Sequence, residues 1–135
     1  MTLSISERMS RVRGINTGPE LEIRKLLSSY GVRYRLQRKD LPGKPDLYVP
    51  RLRLAIFVNG CFWHGHEDCP RAALPKTNTT FWANKISQNV ARDRRVEGDL
   101  RSLGFDFILV WTCDAKNFPR ICERIARRWM RRAPH

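Results

Sequence analysis

Acid is scarce beside base in this sequence. Thirteen aspartates and glutamates stand against 26 lysines and arginines in 135 residues, a formal net charge of +13. The basic residues run from the N-terminus to the last predicted helix, so the expected partner is a polyanion, bound less tightly as salt rises. A merely soluble basic surface would account for the charge but not for the Trp and Phe interleaved with it. Long apolar runs are missing too. None approaches the ~20 residues needed to cross a bilayer, and Met1-Thr-Leu-Ser-Ile-Ser-Glu7 lacks the apolar core of a secretory leader. The expectation is a cytoplasmic protein with no membrane contact. There is no internal repeat and no low-complexity segment. A chain of 135 residues is long enough to bury one core of its own and calls for no second domain.

Against that background one stretch is dense in chemistry. Ile56-Phe-Val-Asn-Gly-Cys-Phe-Trp-His-Gly-His-Glu-Asp-Cys69 leaves a β-branched and aromatic run, turns at Asn59-Gly60, and sets two cysteines, two histidines and two adjacent aromatics within nine residues. Cys61, His66 and Cys69 offer three ligands of the kind that a tetrahedral structural zinc takes, and a fourth must come from elsewhere. Cys113, just past the apolar run Phe107–Trp111, is the better candidate. Cys122 shares a helical face with Ile121 and Ile125 and reads as a buried, inert thiol. The alternative is four reduced, buried cysteines with no metal. If zinc takes Cys61, His66, Cys69 and Cys113, then His64 is left over, held rigidly beside a ligand.

The remaining chain supplies a frame. Residues 1–18 form a basic arm with Arg8, Arg11, Arg13 and a lone Met9, suited to phosphate contact or simply a frayed terminus. Thr17-Gly-Pro-Glu20 reads as a helix start with Thr17 as N-cap and Glu20 closing a capping box. Ile23, Leu26, Leu27 and Tyr30 share one face of that helix, and Gly31 ends it. Val32–Gln37 alternates as a half-exposed strand, and Asp46–Val49 and Leu54–Val58 flank a turn as a hairpin, which would set Asp46 near Val58. Asp46 is then either a metal-binding carboxylate or a turn cap. A helix from about Thr79 to Leu103 carries Trp82, Ile86, Asn89, Val90, Asp93 and Leu100 on one stripe. A carboxylate on a packing face needs a partner, and His64 or a nearby arginine would serve Asp93. Phe105–Trp111 reads as a central strand buried on both faces. A last helix, about Pro119–Arg132, buries Ile121, Ile125 and Trp129 and exposes Arg120, Arg124, Arg127, Arg128 and Arg131. The fold class is α/β, a mixed β-sheet flanked by α-helices.

These residues can support metal-assisted phosphodiester hydrolysis. Asp46 with a main-chain carbonyl suits Mg²⁺, and His64 oriented by Asp93 suits a general base acting on water. Phe62, Trp63 and Trp82 are candidates for wedging between base pairs, with a core role as the alternative, chiefly for Trp82.

Asn16-Thr-Gly-Pro-Glu20, Leu41-Pro-Gly-Lys-Pro-Asp46, Phe57-Val-Asn-Gly-Cys-Phe-Trp-His64, Phe81-Trp82 through Asn89-Val-Ala-Arg-Asp93, and Val110-Trp-Thr-Cys113 together resemble the very short patch repair (Vsr) DNA mismatch endonucleases. The resemblance spans nearly the whole chain. It implies a restriction-endonuclease-like catalytic domain over residues 19–135 with a structural zinc site. It also implies nicking of duplex DNA on the 5′ side of the thymine in a T·G mismatch, the product of 5-methylcytosine deamination. By the resemblance, Asp46 and the Val58 main-chain carbonyl hold Mg²⁺, His64 is the catalytic histidine with Asp93 beside it, and Glu20 is an accessory acid rather than a cap. Cys61, His66, Cys69 and Cys113 hold the structural Zn²⁺. Phe62, Trp63 and Trp82, with Met9 of the arm, Lys85 and Asn89, meet the DNA. A bacterial, nucleoid-associated monomer, with mismatch-repair proteins as further partners, completes what the resemblance implies. Phe57-Val58-Asn59 departs from the broader nuclease superfamily, which has an acid and a lysine there, and Asn59 stands where the best-known member has a histidine. Two other readings remain: a non-enzymatic zinc-bearing module that binds distorted duplex, and a related nuclease with another lesion or sequence preference.

Overall fold

The computed structural model describes residues 18–132. Its elements are α1 (Gly18–Ser29), β1 (Arg35–Leu36), β2 (Leu47–Val49), β3 (Leu54–Asn59), α2 (Thr79–Ser102), β4 (Asp106–Trp111) and α3 (Phe118–Arg131). The strands form one mixed sheet in the order β1-β2-β3-β4. β1 and β2 run antiparallel to their neighbours, and β4 lies parallel to β3. A parallel neighbour requires a crossover, and α2 is that crossover.

The hairpin forms where alternation and turn residues place it. Pro50–Leu52 makes a single 3₁₀ turn, and Arg53 at φ +49° returns the chain into β3. β1 is only two residues long, shorter than the strand expected over Val32–Gln37, because Gln37 adopts φ +46° and leaves the extended region. The larger difference concerns β4. Its apolar run suggests a central strand, yet it is an edge strand among the described residues, and only Val110 is fully buried. The strand covered along its length is β3, where Leu54, Ala55 and Ile56 are buried. An edge strand can be this apolar because Phe107, Ile108 and Trp111 are half-shielded, although Leu109 is exposed: Arg101 of α2, for instance, lays its guanidinium over Phe107 at 5.1 Å.

Alternation along β3 divides the molecule into layers. Leu54 and Ile56 face a core shared with Ile23 and Leu27 of α1, Leu47 and Val49 of β2, and Phe118, Cys122 and Ile125 of α3. Phe57, one residue on, meets the opposite layer, where the Gly43 turn lies against Val96 of α2. α3 turns Phe118, Cys122, Ile125 and Ala126 inward, leaving Ile121 and Trp129 partly covered, a face rotated from the expected Ile121, Ile125 and Trp129. Cys122 is the inert thiol expected of it: burial, then the charge of Glu22, pushes it up to about 11. No helix among the described residues is long and apolar enough to cross a membrane.

Candidate active site and metal centre

The site begins at the C-terminal end of β3. The Val58 N–H donates to Asp46 Oδ2 at 2.7 Å, so the hairpin joins the two residues as its register demands. In an extended strand the N–H and C=O of one residue point to the same side, and the Val58 carbonyl therefore faces β2 as well. Continuing the register from Leu47 opposite Ile56 sets Pro45 opposite Val58. Proline has no amide hydrogen to give that carbonyl. Glu20 enters the same neighbourhood from the first turn of α1, where it is buried. Burial raises its pKa, and the negative charge of Asp46 raises it further, with Arg24 opposing. Two carboxylates, the charge of one raising the pKa of the other, beside a backbone oxygen form an oxygen-rich set suited to a hard divalent cation.

Beyond β3 the chain folds into a loop tied by its own backbone: the His64 N–H donates to the Gly60 carbonyl at 3.2 Å and the His66 N–H to the Cys61 carbonyl at 3.0 Å. Gly65, at φ +56°, lets this loop lie directly on α2. A Cβ there would come within 2.9 Å of Ile86 and 3.0 Å of Val90. The close approach brings His64 to Asp93, Nδ1 to Oδ2, at 2.5 Å. Asn89 fixes the same loop from α2, donating its amide to the Trp63 carbonyl at 3.0 Å and accepting from Arg92 at 2.9 Å.

With Nδ1–H given to Asp93, the lone pair of the His64 ring is on Nε2. His64 and Asp93 line a cleft of about 510 Å³ together with Phe57, Asn59, Lys39, Lys44, Arg92 and Glu97. Asn59, also in its lining, is buried. If the Asp93 carboxylate orients the imidazole for proton transfer, Asp93→Asn is expected to lower turnover by about 100-fold or more, since the amide can reverse the ring tautomer. Single-turnover rates at saturating protein check this, and a loss below threefold would remove Asp93 from the mechanism.

On the other flank of the loop, Cys61, His66, Cys69 and Cys113 bring one ligand atom each to within 4.8 Å of one another. Four ligands about 2.3 Å from a tetrahedral zinc would sit about 3.8 Å apart, so the cluster needs little adjustment to hold a metal ion. The thiols already compete for charge. Burial pushes Cys61 up, but the Thr112 hydroxyl, the Cys113 backbone and thiol, and His66 outweigh it and hold Cys61 at about 7. Cys113 is pushed up to about 11, by desolvation and then by the neighbouring Cys61 and Cys69. His66 also stacks flat on Trp111 of β4, centroids 4.0 Å apart.

The aromatics form one cluster. Phe62 lies 5.4 Å from both Trp63 and Trp82, and Phe81 lies 5.0 Å from Trp82. Trp63 and Trp82 are buried, Phe62 is half-buried, and Phe81 is exposed.

With this geometry in view, the comparisons with known proteins decide the family. The family profile described as DNA mismatch endonuclease Vsr matches residues 4–71. The type II nicking enzyme V.XorIIP of Xanthomonas oryzae pv. oryzae is 46% identical over 117 residues, covering 87% of this chain and 85% of its own. The DNA mismatch endonuclease Vsr of Escherichia coli K12 is 41% identical over 118 residues, covering 87% and 75%. The type II nicking enzyme V.NmeAIP of Neisseria meningitidis is 40% identical over 119 residues, covering 88% and 84%. The chain belongs to the DNA mismatch endonuclease Vsr family.

Within this Vsr-family chain the structure joins Glu20, Asp46 and Val58 at one end of the hairpin. It joins His64 to Asp93 across the loop and α2, and it gathers the four Cys and His ligands into one cluster. Lys85 is exposed on α2. Asn89 is occupied within the protein, so its part in DNA contact would be to set Trp63 and Arg92. Met9, the arm and the Thr17 cap lie outside the described residues. Sequence reasoning missed Lys39, Lys44 and Arg92 as cleft cations. Lys39 precedes and Lys44 lies within a turn, Leu41-Pro-Gly-Lys-Pro45, whose sequence signals geometry rather than charge. Phe81 was also missed, although it adjoins Trp82.

Proposed function

We propose that this chain is a Mg²⁺-dependent endonuclease that nicks duplex DNA on the 5′ side of the thymine of a T·G mismatch, on a restriction-endonuclease-like fold stiffened by a structural zinc. The observation that carries the reading is the His64–Asp93 pair lining a cleft with Lys39, Lys44 and Arg92 at the same end of β3 where Asp46 holds Val58. Glu20, Asp46 and the Val58 carbonyl would hold Mg²⁺, which when bound polarises the phosphodiester and stabilises the leaving oxygen. Cys61, His66, Cys69 and Cys113 would hold Zn²⁺.

The residues of the chain supply the rest. His64 Nε2 takes a proton from the water that attacks phosphorus, and Asp93 stabilises the imidazolium that results. Lys39, Lys44 and Arg92 draw the phosphate backbone into the cleft and offset the charge growing on its oxygens. Phe62 is the member of the aromatic cluster placed to enter a base step, with buried Trp63 and Trp82 as its backing. Opening a weakly stacked mismatch costs least, so such a wedge favours mispaired steps. The high identity to proteins named mismatch endonuclease and nicking enzyme supports hydrolysis over binding alone. A soluble cytoplasmic monomer acting on chromosomal DNA is the accompanying expectation.

Duplexes carrying T·G, each other mismatch, or none, labelled on both strands and incubated with the chain and Mg²⁺, test the assignment. Nicking confined to the thymine strand of the T·G duplex is expected. Binding without cleavage would replace the enzyme with a recognition module, and cleavage of another mismatch would replace the lesion.

A further inference from the structure

A second basic concavity lies at the other end of the sheet. It encloses about 810 Å³ and is lined by Arg33, Arg35, Arg51, Arg53 and Arg132, with no acidic residue in its wall. β3 separates it from the catalytic cleft: Arg53 precedes the strand and Asn59 ends it, a span of about 20 Å at the usual rise per residue.

Two of these guanidiniums are built into the wall. Arg51 lies flat on Trp129 with Cζ 3.5 Å from the ring centroid, and donates to the Trp129 carbonyl at 3.2 Å. Arg53 donates to the carbonyls of Leu103 and Gly104, each at 3.2 Å, and covers Phe105. Arg33, Arg35 and Arg132 are exposed, and none makes an ion pair with another described residue. Five like charges lining one concavity favour uptake of an anion, the more so at low salt.

Residues 1–17 carry Arg8, Arg11 and Arg13 against Glu7 alone, and residues 133–135 are Ala-Pro-His. The concavity is far larger than one phosphate, and its cations come from three separate segments. Arg51 already covers the Trp129 face, and the Tyr34 hydroxyl is engaged by Ser28 and the Arg24 carbonyl. With five arginines among its lining residues and Trp129 already covered, the wall suits a phosphate backbone better than stacked bases. We infer that this groove is a second DNA site, taking the phosphate backbone of a duplex segment other than the one being nicked, without regard to its sequence.

Titration of the full chain with a matched 12-bp duplex in low salt, followed by mass photometry or sedimentation, tests this without reference to mismatch chemistry. Two duplexes per chain are expected. Arg33→Glu combined with Arg35→Glu is expected to leave one, weakening the second site at least tenfold, with nicking of a short T·G duplex within twofold of the parent. Arg120→Glu combined with Arg124→Glu, on the outer face of α3, carries the same charge change and is expected to keep two. Arg132→Glu is a further groove variant at an exposed position, should the first pair fail to fold. One duplex per parent chain, an unchanged second site in folded groove variants, equal loss in the α3 control, or a second equivalent taken up only as oligo-dT would each overturn the proposal.

Discussion

Asp46→Asn is expected to slow single-turnover nicking of a mismatched duplex by about 10³-fold or more, roughly 4 kcal/mol of transition-state stabilisation, with duplex affinity unchanged or slightly improved. The substitution is nearly isosteric. The asparagine Oδ1 can still accept the Val58 N–H that Asp46 Oδ2 holds at 2.7 Å, so the hairpin keeps its register. What it removes is one negative charge from the oxygen set of Glu20, Asp46 and the Val58 carbonyl. A divalent cation then has one fewer charge to answer it, and the pressure that Asp46 exerts on the Glu20 carboxyl is relieved. Phosphate is repelled less in the same step, which is why binding does not fall. Nicking within tenfold of the parent would remove Asp46 from the chemistry. A parallel loss of affinity would instead mark it as a structural residue.

The second large effect is on the fold. Cys61→Ser is expected to lower bound zinc from one ion per chain to well below one, and to lower Tm by more than about 10 °C. Metal ligation at structural sites is worth on the order of 10 kcal/mol in small domains, comparable to the whole stability of a chain this size. The ion would join two segments 44 residues apart, Cys69 of the loop and Cys113 beyond β4, counted directly from the numbering. Without it the loop keeps its backbone turns and the Asn89 tie to Trp63, yet loses the anchor that holds His64 against Asp93. Chelator treatment of the parent should reproduce the variant in both readouts. Elemental analysis finding no zinc in the purified parent, or an unchanged Tm after chelation, would contradict the ligand assignment.

Much of this site was legible before any coordinates, for identifiable reasons. A two-strand alternation around Pro50-Arg51 has one register that buries its apolar residues, and that register carries Asp46 to Val58. A carboxylate on the packing stripe of α2 had to be paired, and the histidine left over by the metal ligands was the partner that made chemical sense. Other features depend on distances that no local pattern encodes. Gly65 reads as an ordinary loop glycine, and only the approach of Ile86 and Val90 shows why a side chain there would push His64 off Asp93. Gly43 likewise stands where a Cβ would come within 2.5 Å of Val96. The apolar composition of β4 could not distinguish a central strand from an edge strand half-shielded by α2. Trp63 sits in a glycine-flanked loop that suggests exposure, and is buried because Trp82 and Asn89 reach it from a helix far along the chain. The arginine groove draws on residues 33, 51 and 132, and its walls meet only in three dimensions.

The arrangement at the end of β3 is the claim on which the proposed chemistry depends, and manganese can report it directly. Crystals of the chain with a T·G duplex, soaked in Mn²⁺ and measured at the manganese absorption edge, should show an anomalous peak bonded to the Asp46 carboxylate and the Val58 carbonyl, with the His64 ring one water away. Manganese bound away from Asp46, or a His64 ring turned from the metal with the scissile phosphate in place, would contradict the account.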